Sequence, residues 1–476
     1  MKFLLSILSI LIACCSFAQT ITVSDDLSIR NDLQYEIIGK QKDRFLIFRD
    51  KAHEYEIQAF DKNLRASWNK QLEMDKKRVN IASVISHKDK FHVFYSFKKK
   101  GEYYLKMHSY DPGANLIDST TLWVYGQQFY PPNPQIVPSR DKKKILIYQL
   151  KQQTKIEAMA YDIEKKEIIW DIDFEPNEFN LYRDHTEWII NNDGAAFFIT
   201  GKDNRKARKE EHHYLIFECN KGLKTPAVHK IHMKGKMTYD VLFDYDDLNN
   251  RLLAGGFYSD KSRGKTIGYF YINADLRSLD THTLEFHPFE NEFMNKIMEK
   301  KFDQESKGIS DVAVREIVIR RDGGILLVAE RKKQFERRMA TAGRGYVGRD
   351  GSRYIIDYYF DDIFTTSIHP DGKIHWQTIL HKKQYSQDDD AIFSSYFLMK
   401  TPSSLRFIFN DEIRHENTVS EYILNGDGSY DRNSVMNTDN QDLQLRFQDA
   451  VQIDSKVCLI PSEYRNKLRL VKIDYE

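Results

Sequence analysis

The chain has 476 residues, with 71 Lys/Arg against 70 Asp/Glu and aromatic residues at 13%. A balanced charge argues against nucleic acid as the default partner. The length exceeds the about 250–300 residues that one hydrophobic core supports, and eleven prolines without a Ser/Gly-rich linker favour a repeat array over a string of linked domains.

The first element is MKFLLSILSILIACCSFAQT: one Lys, an apolar run over residues 3–13, then small residues ending at Ala18. This pattern predicts a signal peptide over residues 1–18, and the run is too short to span a bilayer. Leu11-Ile12-Ala13-Cys14 also fits a lipoprotein box, which would place a lipid anchor on Cys14. Either processing exports the chain, to the periplasm, the outer-membrane surface or the exterior. With Lys2 gone, the 71 basic residues become 70, equal to the acidic ones. No second long apolar run argues for a transmembrane segment. Cys219 and Cys458 fall in apolar strand patterns, as a disulfide or as buried free thiols.

From residue 19 onward, aromatic and β-branched alternation dominates, as in RFLIF (44–48), HVFYSF (92–97), AAFFIT (195–200), YFYI (269–272) and RFIF (406–409). These are strands. A strand, an Asp or Asn turn and a second strand recur together: AFDKNLRASWNKQL (59–72), SYDPGANLIDSTTLW (109–123), AYDIEKKEIIWDIDF (160–174), and onward to YILNGDGSYDRNSV (422–435). The spacing is about fifty residues with one enlarged copy, a β-propeller blade period. The predicted fold is therefore all-β, a single β-propeller domain over 19–476. It has eight blades of four antiparallel strands, with seven as the alternative. The C-terminus supplies only three strands, so ITVSDDL from the N-terminus is expected to close the last blade and hide its edge.

One helical signal interrupts the strands, PFENEFMNKIMEKKF (288–302), with Phe289, Phe293 and Ile297 on one face; packing against the ring is the expected role. Next comes an enlarged hairpin insertion at 331–353, between strands ILLVAE (325–330) and YIIDYYF (354–360). It contains GRGYVG, the glycine spacing of a phosphate cradle. No helix start follows, so its glycines are read as turn residues.

Two further groups carry little chemistry on inspection. His212-His213 after Glu210-Glu211 are consecutive, and an extended chain points them to opposite sides. Asp388-Asp389-Asp390 lack the spaced ligands of a calcium loop. No G-x-S-x-G, H-E-x-x-H or spaced Cys/His cluster occurs. No catalytic, cofactor or metal residue is nominated.

Charge, sorted by blade face, does carry a reading. The eight hairpins between second and third strands hold 26 Lys/Arg against 12 Asp/Glu on a chain that is neutral overall, so the strands and opposite turns hold the compensating negative charge. The expected anion- or partner-binding residues are Lys332, Lys333, Arg337, Arg338, Arg344 and Arg349 on the enlarged hairpin, with Arg205, Lys206 and Arg208 on another. Lys at hairpin tips for solubility and edge protection is the competing explanation.

The D-x-x-G turn before Trp resembles the repeats of quinoprotein-like bacterial propellers. Residues 355–411, from IIDYYFDDIFTTSIHPDGKIHW to LRFIFND, look like a segment of exported, uncharacterised bacterial β-propeller proteins. That resemblance implies export and a propeller, not a reaction. It also implies no quinone cofactor, since the only adjacent cysteine pair, Cys14-Cys15, lies in the leader. The expectation is a non-enzymatic exported platform that binds an envelope protein or an anionic surface, with no nucleic acid. A cell-envelope hydrolase with its site at the channel mouth is the alternative.

Overall fold

A computed structural model describes residues 19–475 apart from 152–153, 177, 179, 181–182, 203–210, 260–264, 277–281, 299–307, 340–352, 412, 414–417 and 439–441. Blade 1 sets the pattern: strands Asp32–Gln41, Arg44–Lys51, Tyr55–Phe60 and Ala66–Leu72 pair in sequence order, all antiparallel. These are strands A to D. The middle two are buried almost throughout, whereas Ala66–Leu72 alternates between exposed and half-buried positions. Apolar side chains on both faces therefore mark strands covered by neighbouring sheets, and alternation marks the outer edge.

The recurring Asp turn has a local cause. Asp61 Oδ1 accepts the N–H groups of Asn63 and Arg65, both at 2.9 Å, and Leu64 takes a positive φ of 58°. Asp111 repeats this with Gly113 and Asn115, at 2.9 and 2.8 Å. The carboxylate mimics a backbone acceptor and closes the turn between strands C and D.

Four-stranded sheets of the same order follow over 80–127, 135–174, 185–232, 237–288 and 397–437, with an enlarged sheet over 312–387. The last sheet combines Val451–Gln452, Val457–Tyr464 and Lys467–Tyr475 with the N-terminal strand Gln19–Val23, registered from Gln19↔Tyr475 to Val23↔Val471. The chain is thus an eight-bladed all-β propeller whose N-terminal strand closes the final blade. Eight, not seven, is the count because three C-terminal strands and that strand form a complete sheet.

By contacts the chain divides into two units. Blades 1, 7 and 8 form the first. Within it, Met399, Ile408 and Val419 pack on Cys458, Ile460 and Ile473, and Ile47 and Phe60 pack on Leu459 and Leu470. Blades 2 to 6 form the second, stacked through apolar layers such as Phe197, Ile199 and Ile216 against Phe243, Ala254 and Phe270. The predicted helix is α1, Asn291–Met298, in the second unit. Phe293 and Ile297 are buried in the layer between blades 5 and 6 with Phe289 against it, as the periodicity required, and Met294 joins them. No helix among the described residues is long and apolar enough to cross a membrane. Cys219 and Cys458 are buried free thiols, and burial pushes each up to about 12.

Blade 6 departs from the pattern. Its strands are Val312–Ile319, Ile325–Met339, Arg353–Ile368 and Ile374–Leu380, and Gln384–Gln387 adds a short fifth strand to the third. Strands B and C continue past the blade as a two-stranded ribbon, paired from Lys332↔Phe360 to Met339↔Arg353. Much of the expected hairpin insertion is therefore regular strand.

Candidate functional site

The ribbon carries the described part of the basic cluster. Strand alternation puts Lys333, Phe335 and Arg337 on one face, across from Tyr359, Asp357 and Ile355. Phe335 meets Tyr359 edge-on at 6.0 Å, and Tyr359 contacts Tyr385 of the fifth strand at 5.1 Å. Lys333 Nζ lies 4.1 Å from the Phe335 ring centroid, a cation–π contact. The Arg337 guanidinium donates to both oxygens of Asp357, with Nη2 at 3.1 Å, and the Tyr385 hydroxyl donates to Asp357 Oδ1 at 2.7 Å. Asp357 is buried, so Arg337 supplies the counter-charge that this carboxylate needs. The other face holds Lys332, with Nζ 5.4 Å from the Phe360 ring. Phe335 and Tyr354 remain 46% and 54% exposed, unusual for aromatics in an ordered strand.

At the root of the ribbon the register shifts between Glu330 and Lys332, a bulge that lets the strand pair leave the blade. Here Lys382 is fully buried, and its ammonium meets Glu330 Oε1 at 2.6 Å, the Phe360 carbonyl at 3.0 Å and Gln384 Oε1 at 2.9 Å. Glu330 is equally buried and lies 3.4 Å from Arg315 Nε. Burial pulls the Lys382 pKa down, and Glu330 pushes it back up. A desolvated ion pair whose ammonium also makes two hydrogen bonds fixes the ribbon's exit.

The predicted residues distribute unevenly. Lys332 and Lys333 are exposed on the ribbon and have no carboxylate partner among the described residues. Arg337 is committed to Asp357, and Arg338 sits opposite Tyr354. Arg344, Arg349, Arg205, Lys206, Arg208 and the GRGYVG stretch lie outside the described residues, as do Cys14 and the leader. Elsewhere some hairpin cations are paired: Arg49 with Asp32 and Glu56, Lys51 with Glu54 and Glu56, and Lys467 with Asp26. Counting charges along the sequence overstates what the hairpins display.

The consecutive His212 and His213 have different surroundings, as strand alternation requires, and His212 is not solvated hairpin charge. His212 is buried, with Nε2 2.8 Å from Thr238 Oγ1, while the next residue, His213, contacts the His232 ring. Asp388 binds the Ile356 N–H at 2.8 Å and Asp389 the Ala391 N–H at 2.9 Å. No group of three or more metal-ligating side chains occurs among the described residues.

Several polar networks had no sequence signal. In blade 2, Tyr110 donates to His108 Nδ1 at 3.1 Å, His108 Nε2–H to the Tyr95 oxygen at 2.6 Å, and Tyr95 to Asp75 Oδ2 at 2.6 Å. Tyr95 has one proton and the carboxylate takes it, which assigns the tautomer of a histidine kept neutral by burial. On inner strands, Glu187 of blade 4 accepts the Phe243 N–H of blade 5 at 3.0 Å, and Asp240 of blade 5 accepts the Val314 N–H of blade 6 at 2.8 Å. Burial pushes both carboxyls above their usual range. They satisfy inner-edge donors that the sheets leave unpaired. Turn to turn, Asn192 accepts from Asp141 N–H and donates its own N–H to Asp247, and Arg140 of blade 3 reaches Asp244 of blade 5 at 2.6 Å. This ties together the face that would carry a hydrolase site. A cavity there, lined by Asp193, Glu218 and Asp275, measures about 120 Å³, below the roughly 300 Å³ at which ligand pockets begin. A larger cavity of about 530 Å³, at the hairpin between the second and third strands of blade 1, is lined by Asp32, Arg49, Lys51, His53 and Glu54, and its Arg and Lys are already paired.

Two of the buried histidines contribute to the acid response. Burial pushes His92 and His212 down to about 4 from an ordinary 6.5. The unfolded chain takes up these protons below pH 6.5, the folded chain only near pH 4. Their contribution is complete above pH 6.5 and is lost as pH falls toward 4, by up to roughly 3 kcal/mol for each. The urea midpoint is expected to fall across that window and to flatten in His92→Gln. A flat wild-type profile rules this out.

No known protein family matches the sequence, and no curated protein matches it. Among solved structures, the chain is similar to an uncharacterized protein from Listeria monocytogenes EGD-e, at TM-score 0.40 and 9% identity, over 82% of this chain and 90% of that one. It is similar to BamB from Moraxella catarrhalis at 0.37 and 10%, over 96% and 98%. The β-propeller domain of the Trilobed protease from Pyrococcus furiosus gives 0.38 and 12%, over 87% and 98%. Likenesses this distant carry no argument about activity, and the fold rests on the sheets described above.

Proposed function

We propose that the protein is an exported, non-enzymatic binding platform of the bacterial cell envelope, and that blade 6 is its contact element for an acidic protein partner. One observation carries this reading: a paired ribbon extends past the blade, fixed at its root, and displays Lys332, Lys333 and exposed aromatic side chains. A propeller needs no such extension to bury its core, and a stiff scaffold that presents cations beside aromatics suits recognition of carboxylate-rich surfaces. Export rests on the leader, with cleavage after Ala18 or lipidation of Cys14, and agrees with the resemblance of residues 355–411 to exported bacterial propellers.

The test uses Lys332→Glu, Lys333→Glu and Arg338→Glu together, leaving Arg337 to neutralise Asp357. Envelope fractions are crosslinked with wild type, the triple variant and a chain lacking 333–352. A partner retained by wild type at low salt should drop at least about tenfold in both variants. Equal retention by all three would sink the proposal.

A further inference from the structure

Among the described residues one edge of the ribbon has no pairing strand, and its polar groups point to how a partner engages it. Lys332 N–H donates to the Asp311 carbonyl at 2.7 Å, away from strand C. Alternation then directs the N–H and C=O groups of Gln334, Glu336 and Arg338 to that same outer side. The partner strand agrees: Ile356, directly opposite Glu336, donates its N–H to Asp388 Oδ1 and accepts from Asp388 N–H at 3.0 Å, so this pair faces outward on both sides. Strand A stops earlier, with Val312 opposite Arg331. Among the described residues nothing pairs with the outer edge from Gln334 to Arg338.

Resting on the blade 6 reading above, we propose that this edge takes up an extended acidic segment of the partner by β-strand addition. An open edge recruits strands unless something prevents it, and here the side chains select. The stretch from Lys332 to Arg338 holds four cations and one acid, Glu336. A second copy of the chain would bring cations against cations, which disfavours self-pairing. Residues 299–307, EKKFDQESK, hold three basic and three acidic residues, so charge does not select that segment of the chain itself. An incoming strand that alternates acidic and apolar residues would satisfy the edge amides, turn its acids toward Lys332 on one face and cover Phe335 with its apolar side chains on the other.

A labelled, capped peptide alternating Glu and Val, added to the full-length protein and followed by fluorescence anisotropy, tests this. Gln334→Pro removes one outward N–H at an edge where proline is tolerated, and Gln334→Ala removes only the side chain. Expected are binding by wild type at low salt, a loss of about tenfold or more in Gln334→Pro, and little change in Gln334→Ala. A peptide N-methylated along one edge, added to wild type, gives the same answer without relying on a variant's folding, and should bind at least about tenfold more weakly. Unchanged affinity for both Gln334→Pro and the N-methylated peptide overturns strand addition and leaves the electrostatic platform standing. Ribbon-dependent binding of phosphatidylglycerol vesicles without peptide binding overturns it too, in favour of a lipid surface. Absence of any ribbon-dependent retention in envelope fractions removes the platform itself.

Discussion

Lys382→Met will destabilise the protein by about 3–5 kcal/mol, because it leaves Glu330 charged and dry. Both side chains are fully buried, whereas Arg315, with Nε 3.4 Å from Glu330, is partly exposed and a weaker counter-charge. The double variant Glu330→Met/Lys382→Met is expected to recover most of the loss, since two apolar side chains of similar volume remove the unpaired charge along with the pair. Urea unfolding followed by fluorescence distinguishes the cases. A single variant within about 1 kcal/mol of wild type would mean that the pair does not organise the root of blade 6. The ribbon's contribution to binding should fall with the single variant and return with the double, because it depends on where the strands leave the blade.

Removing residues 19–26 is expected to cost a comparable amount, by opening the last blade. Gln19–Val23 supplies five register pairs to Lys467–Tyr475, and Ile21 and Val23 pack on the layer between blades 7 and 8. Ser24 donates its N–H to the Leu470 carbonyl and accepts the Leu470 N–H on its Oγ, and Asp26 holds Lys467 and Arg469. Loss of two half-buried aliphatic side chains and the ladder amounts to about 5 kcal/mol. It also leaves Lys467–Tyr475 unpaired on one side beyond Leu468, where Leu27 and Ser28 still pair with it. Size-exclusion chromatography should show concentration-dependent association of the truncated chain. A monomer with an unchanged unfolding midpoint would show that closure by the N-terminal strand contributes nothing.

The differences between expectation and structure concentrate in blade 6. RKKQFERRM has too few apolar residues to announce a strand, and the cue lies in its partner, where Ile355, Tyr358 and Phe360 are buried. Pairing with an apolar strand turned a polar segment into ordered ribbon. The Arg337–Asp357 contact follows from that register: both lie on one face, diagonally placed, although twenty residues apart. Spacing along the sequence shows Arg337 as one more hairpin cation, whereas the structure assigns it to neutralising a buried acid.

By itself the sequence determined that the protein is all-β and that its unit is near fifty residues; it favoured eight sheets over seven and led to the expectation, met in the structure, that the two ends share one of them. Those properties are local and periodic: alternation within strands, Asp in the turns, and a count of strands at the C-terminus. Only the tertiary structure decided which charges are displayed and which are consumed. Glu187 and Phe243 are 56 residues apart and Asp240 and Val314 are 74 apart; Lys382 finds Glu330 across two strands of its blade. The fate of a charged side chain depends on who approaches it once neighbouring sheets stack, and stacking brings together residues whose separation along the chain bears no relation to their distance in space.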